Sequence, residues 1–141
     1  MSFAASLASA QVVINEIHYH PIEEPAFNAD GTPFLDLTDD VHEFVEIHNI
    51  GAAPVNLDGW ALDDGIKFGF PAGTTIAAGG YKVIAKNVGR LAAVYQGLTG
   101  ILGPFSGQLS NNSDTLKLKD GTGRSLNTAS STSISVTLRA E

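Results

Sequence analysis

The 141-residue chain has no cysteine. Disulfide staples, thiolate zinc sites and a cysteine nucleophile are therefore excluded. It is also poor in cations: 8 lysines and arginines stand against 15 acids, for a net charge of −7. Phosphate recognition needs clustered basic residues, so this balance argues against nucleic acid as a partner and disfavours anionic membrane surfaces. No apolar run approaches the roughly 18 residues of a membrane span, so helical membrane insertion is not expected. A Gly-x-Ser-x-Gly elbow is missing. Gly79-Gly80 precedes a strand rather than a helix, so it is no phosphate-cradling loop. Nothing reaches the specificity of a catalytic motif, and the expectation is a protein that is not an enzyme and needs no cofactor.

What is present is a folded composition, 43% hydrophobic and 16% charged, with 15 glycines that suit a chain of many turns. The length fits one domain able to bury a core. Residues 1–10 are small and apolar, and Ala8-Ser9-Ala10 before Gln11 has the form of a signal-peptidase site. This stretch reads as a signal-peptide remnant or an unrelated lead. The domain is expected over 11–141, with the protein exported.

The chain is organised around Glu43-Phe44-Val45-Glu46-Ile47-His48-Asn49, whose β-branched and aromatic residues read as a central strand. A first strand is expected over 11–19, apolar on both faces. After Gly51-Ala52-Ala53-Pro54 a strand is expected over 55–62, with Trp60, the only tryptophan, as a core anchor. Ile66, Phe68 and Phe70 alternate on one face. Strand 81–86 follows the Ala77-Ala78-Gly79-Gly80 turn. Asn87 caps the one expected helix, a short one over 88–95. Residues 98–102 are expected to be extended, and 114–120 alternates cleanly. Short strands with turn signals every ~8–12 residues predict an all-β sandwich or barrel. Val45, Ile47, Trp60, Phe68 and Phe70 are its expected core.

Val13-Ile14-Asn15-Glu16-Ile17, the central strand with Gly51 close behind, and Val55-Asn56-Leu57-Asp58-Gly59-Trp60-Ala61-Leu62-Asp63-Asp64 together resemble the lamin-tail domain family. Phe70-Pro71-Ala72-Gly73-Thr74-Thr75-Ile76 through Tyr81, and Leu109-Ser110-Asn111 with Asp114-Thr115-Leu116-Lys117-Leu118, extend the resemblance over about 12–120. The resemblance implies an immunoglobulin-like antiparallel β-sandwich without catalytic activity, of the kind found as one module of secreted bacterial proteins. The sequence departs from the family after Gly123, where polar residues replace an apolar strand. The closing strand is then expected at 133–138, or 1–141 is one part of a larger protein.

Glu16-Ile17-His18 and Glu46-Ile47-His48 are the same tripeptide on two expected strands. If the strands pair in register, Glu16, His18, Glu46 and His48 converge as oxygen and nitrogen ligands for a transition metal. The plainer reading, cross-strand pairing on a polar face, is preferred. The acidic run of Asp36, Asp39, Asp40 and Glu43, with Asp30-Gly31 upstream, matches no EF-hand spacing and reads as a solvated loop.

Three functions remain: an interaction module for a protein or cell-surface partner, a metal-binding or metal-dependent hydrolytic domain, and a structural assembly module. The first is preferred, as a monomer or weak dimer.

Overall fold

The computed structural model describes residues 11–18, 26–27, 30–34, 43–107, 109 and 115–130. In chain order the elements are β1 (Val12–His18), β2 (Ala26–Phe27), β3 (Pro33–Phe34), β4 (Phe44–Asn49), β5 (Val55–Asn56), β6 (Ala61–Asp64), β7 (Ile66–Gly69), β8 (Thr75–Ile76), β9 (Tyr81–Ala85), α1 (Val88–Val94), β10 (Ser106–Gly107), β11 (Thr115–Lys119) and β12 (Ser125–Ser130). A three-stranded sheet, β1-β4-β9, faces a five-stranded sheet, β10-β7-β6-β11-β12. Every ladder between named strands is antiparallel. The fold is an immunoglobulin-like β-sandwich with one small helix.

The core lies between the sheets. Val12, Ile14, Ile17, Val45 and Ile47 come from one side, and Leu62, Ile66, Leu116 and Leu118 from the other. Full burial of each such side chain contributes about 1.5–3 kcal/mol. β1 keeps its core face only by means of a bulge. Val12 and Ile14 pair with Asn49 and Ile47, the register shifts between Ile14 and Glu16, and Ile17 then pairs with Val45. The extra residue moves Ile17 inward and Glu16 outward, which strict alternation would reverse.

Val45, Ile47 and Phe70 are buried in this core, whereas Phe68 and Trp60 are half-buried and pack against it. The expected strand over 55–62 is in fact two short strands with a turn between them, and Trp60 follows that turn. Its N–H donates to the Leu57 carbonyl at 3.0 Å, and its own carbonyl accepts from Phe70 N–H at 2.9 Å. The reason is Gly59, at φ +74°, where a Cβ would come within 3.3 Å of Gly121 Cα. A chain reversal that presses on a neighbouring turn cannot continue as a strand. Phe68 lies in a strand paired to β6 and to the two-residue β10. So little covering leaves its ring half-open, edge-on to Phe70 at 5.2 Å.

The closing strand also differs from expectation. β12 begins at Ser125, directly after the Asp120–Gly123 turn, and pairs along the whole of β11. Pairing compensates for the low hydrophobicity of Ser125-Leu126-Asn127-Thr128-Ala129-Ser130, because β11 supplies the buried residues and a ready backbone edge. Residues 133–138 lie outside the described residues. Of the segment 98–102, only Leu102 makes a β-bridge, to Ile84. Its N–H and carbonyl bond to β9, and Phe105 N–H adds a third bond to Ala85. This segment covers the open edge of the smaller sheet. β2 and β3 pair as a small hairpin inside the long connection after β1.

Candidate functional site

The outer face of the β1-β4-β9 sheet is not given to solvent. Phe44, Val83 and Ala85 pack there with Leu91 of α1, joined by the half-buried Val88, Tyr95, Leu98 and Ile101. The helix has only seven residues, too few to stand alone in water. The Asn87 side chain caps it by accepting from Arg90 N–H at 2.9 Å, and the apolar contact with the sheet holds it. Tyr95 N–H closes the last turn on Leu91, and Leu98 N–H folds back to the Tyr95 carbonyl. The cover therefore ends over the Phe44 side of the sheet and leaves the Tyr81 side.

A cavity of about 420 Å³ occupies that uncovered side. Glu46, Tyr81 and Val83 line it from the sheet, Gly79-Gly80 from the preceding turn, and residues 97–99 from the chain after the helix. Both glycines serve the turn: Gly79 has φ +69°, and a Cβ at Gly80 would come within 2.9 Å of the Ala77 carbonyl oxygen. Glu46 is 8% exposed. Its Oε1 accepts from Asn15 Nδ2 at 2.7 Å, a bond that the β1 bulge makes possible. Tyr81 is fixed from the other side by His48, whose ring stacks on it at 4.0 Å and 6°.

The Glu-x-His tripeptides thus meet in part. Glu16 and Glu46 are direct register partners, both buried, on this outer face. The imidazoles do not join them. His18 stands opposite Phe44 and stacks on it at 4.8 Å, and His48 stands opposite Val13. Four residues of β4 separate those rungs, about 13 Å at the rise of a strand. A single ion with ligand distances near 2 Å cannot use both histidines. Among the described residues, no group of three or more His, Asp or Glu side chains is placed to hold a metal. Antiparallel pairing runs the two copies of the tripeptide in opposite directions, so it superposes the glutamates and throws the histidines apart.

The acidic residues turn to structural tasks. Glu43 is buried and its Oε2 accepts from Leu109 N–H at 3.1 Å. Asp30 closes the β2–β3 turn by accepting from Thr32 N–H and Oγ1, bonds that lower its pKa. Asp36, Asp39 and Asp40 lie outside the described residues. On the far sheet Asp63 accepts from Lys119 and Lys67, and these two ammonium groups hold its carboxyl well below the usual range. Asp64 pairs with Lys117 at 3.0 Å. Asp58 Oδ1 accepts from Gly73 N–H at 2.6 Å.

Asn49 and Asn15 are the polar residues that composition and spacing leave unmarked. Asn49 is fully buried, with Nδ2 donating to the carbonyls of Ala53, Ile76 and Ala77 and Oδ1 accepting from Gly51 N–H. It ties the turn after β4 to the turn after β8. The sign in the sequence is its place on the core face of β4, in line with Val45 and Ile47, where an amide must be fully bonded. The cavity itself had only Gly79-Gly80-Tyr81 as a sign, which reads equally as a hairpin turn.

No helix among the described residues is long and apolar enough to cross a membrane. No curated protein matches the chain. A model of the lamin tail domain matches residues 5–133. That span takes in both sheets, the helix and the cavity, and the chain therefore belongs to the lamin tail domain family.

Proposed function

We propose that this domain is a non-catalytic interaction module of an exported bacterial protein, and that it attaches that protein to a protein or cell-surface partner. The observation that carries the reading is how the described carboxylates are used. Asp30, Glu43, Asp58, Asp63 and Asp64 bind backbone N–H groups or lysines of their own fold. A catalytic carboxylate needs an unsatisfied charge or a shifted pKa directed at a substrate. These instead close turns and strand pairs. The family is one of immunoglobulin-like modules, which agrees with this use. Export is supported by Ala8-Ser9-Ala10-Gln11, because cleavage there would leave a single residue ahead of β1. The net charge of −7 opposes close packing of copies, which favours a monomer or weak dimer over a polymer.

The test is fractionation of the source cells with the full-length gene product tagged at its C-terminus. The product is expected in the surface or extracellular fraction. Deletion of 11–130, with any leader kept, is expected to release surface-bound product into the medium. Retention in the cytoplasm, or unchanged surface binding after the deletion, would defeat the proposal.

A further inference from the structure

We propose that the cavity beside Glu46 is a binding site for a lysine side chain presented by a partner polypeptide. This rests on the interaction-module reading and names the chemistry of its contact.

The cavity, at about 420 Å³, falls within the range of small-ligand sites. Its lining is mixed, about as much polar as apolar surface, with one charge in it. Val83 and Leu98 give aliphatic wall, Tyr81 gives ring surface, and Glu46 gives the carboxylate. A lysine has the matching form, a methylene stem ending in a compact ammonium. The sign of charge in the lining is set by Glu46. Glu16 lies directly opposite it on the neighbouring strand. The chain as a whole is also acidic. Lys82 leaves β9 on the other face, as the register partner of Ile47, and its ammonium reaches Gly100, just past the rim at Thr99, without lining the cavity.

Lysine is favoured over arginine by the state of the carboxylate. Oε1 of Glu46 already accepts from Asn15 at 2.7 Å. A guanidinium binds best by two parallel bonds to both oxygens, and Asn15 occupies one of those places. An ammonium is a point charge and is satisfied by the remaining oxygen. The geometry is preorganised: the Asn15 bond orients Glu46, and the His48 stack fixes Tyr81. Little ordering cost is then left to binding.

The experiment is amide NMR of the isotope-labelled domain with four probes: N-acetyl-lysine methylamide, its arginine and norleucine counterparts, and butylammonium. The lysine probe is expected to shift the amides of Gly79, Gly80, Gly97 and Thr99, with a dissociation constant of about 1 mM for a ligand of that size. The norleucine probe should bind at least about tenfold more weakly, and Glu46→Gln should weaken lysine binding by about tenfold. Thr99→Phe, at an exposed position on the rim, should block binding without touching the carboxylate. It keeps the test open should Glu46→Gln fail to fold. Equal binding of norleucine and lysine would overturn the proposal, as would no shift at about tenfold the expected constant or unchanged binding in Thr99→Phe. Binding of butylammonium without the lysine probe would overturn the polypeptide source. If lysine binds and the domain deletion leaves attachment intact, the cavity stands and the attachment role falls. The reverse result separates them the other way.

Discussion

On its inner face the β1-β4-β9 sheet presents Val12, Ile14, Ile17, Val45, Ile47 and Ile84, and a second sheet covers all of them. On its outer face the same strands present Phe44, Val83 and Ala85 under a helix, then Glu46, His48 and Tyr81 beside a cavity. Both faces are largely out of water, so exclusion of solvent is not what distinguishes them. The difference is the size of the covering element. A whole sheet permits only one kind of lining at its centre, and Asn49, the polar residue buried there, has four hydrogen bonds. A seven-residue helix covers half a face. The other half can hold a carboxylate and an aromatic ring in fixed positions without closing over them. Rigid strands below and a short cover above are what a recognition site needs.

Adjacent residues on β4 test this contrast most strongly. Ile47→Ala, on the inner face, is expected to cost about 3–5 kcal/mol in chemical denaturation, since the second sheet cannot collapse into the space. His48→Ala, one residue on and half-buried, should cost less than about 1 kcal/mol. Similar losses at both would mean that the outer face is core as well. Next in size is Asn49→Ala, which strands the buried Ile76 carbonyl and leaves two carbonyls and an N–H unpaired at part-buried positions, and should cost about 2–4 kcal/mol. Asn49→Leu should be no better, because added apolar volume does not pair those groups. Trp60→Ala should cost about 2 kcal/mol, below the value for a fully buried tryptophan, because its ring is half-exposed behind the Gly59 turn.

Most of the inner face was legible in the sequence, and less of the outer. Leu116 and Leu118 alternate with Lys117 and Lys119 because β11 has one dry side, and period two reports that directly. The Asn87 cap and its helix were legible for a similar reason, since capping is local chemistry. Two kinds of feature were not. The bulge at Asn15 depends on the partner strand, so the pairing of Glu16 with Glu46 could be stated only as a condition. The cavity depends on where α1 stops relative to β9, a tertiary distance that no motif encodes. Trp60 misleads because tryptophan is apolar enough for a strand, while the preceding Asp58-Gly59 turn decides its place.

A smaller effect is expected from metal. If the two Glu-x-His tripeptides made one site, saturating zinc at 100 times the dissociation constant would add about 2.7 kcal/mol. The stacking of His18 on Phe44 and of His48 on Tyr81 puts the imidazoles at opposite ends of the ladder. Thermal midpoints with chelator, and then with zinc, manganese or calcium, are expected to agree within about 1 °C. A rise of several degrees that His18→Ala or His48→Ala abolishes would join the halves of the outer face into a metal centre.

The smallest expected effect contrasts this sheet with the exposed side of the other. There Asp63 lies between Lys67 and Lys119, its side chain about a quarter exposed. Both lysines depress its pKa, with Lys119 first, and the same contact raises the pKa of Lys119. The signs follow from linkage. A depressed carboxyl contributes stability that is present above the unfolded value, 3.8, and is lost as pH falls through the folded value. A raised ammonium contributes below 10.5, and the contribution fades as pH rises through its folded value. The Asp63–Lys119 contact is therefore whole between about pH 5 and 9. Asp63→Asn should lower the thermal midpoint slightly across that window, because exposed pairs are screened by solvent. The two curves should then draw together as pH falls below about 4, where the unfolded carboxyl takes up a proton that the folded one still refuses, while the amide has none to take. A gap that stays constant down to pH 2 would assign the loss to packing rather than charge. The contact would then resemble the inner face, where pH has nothing to titrate.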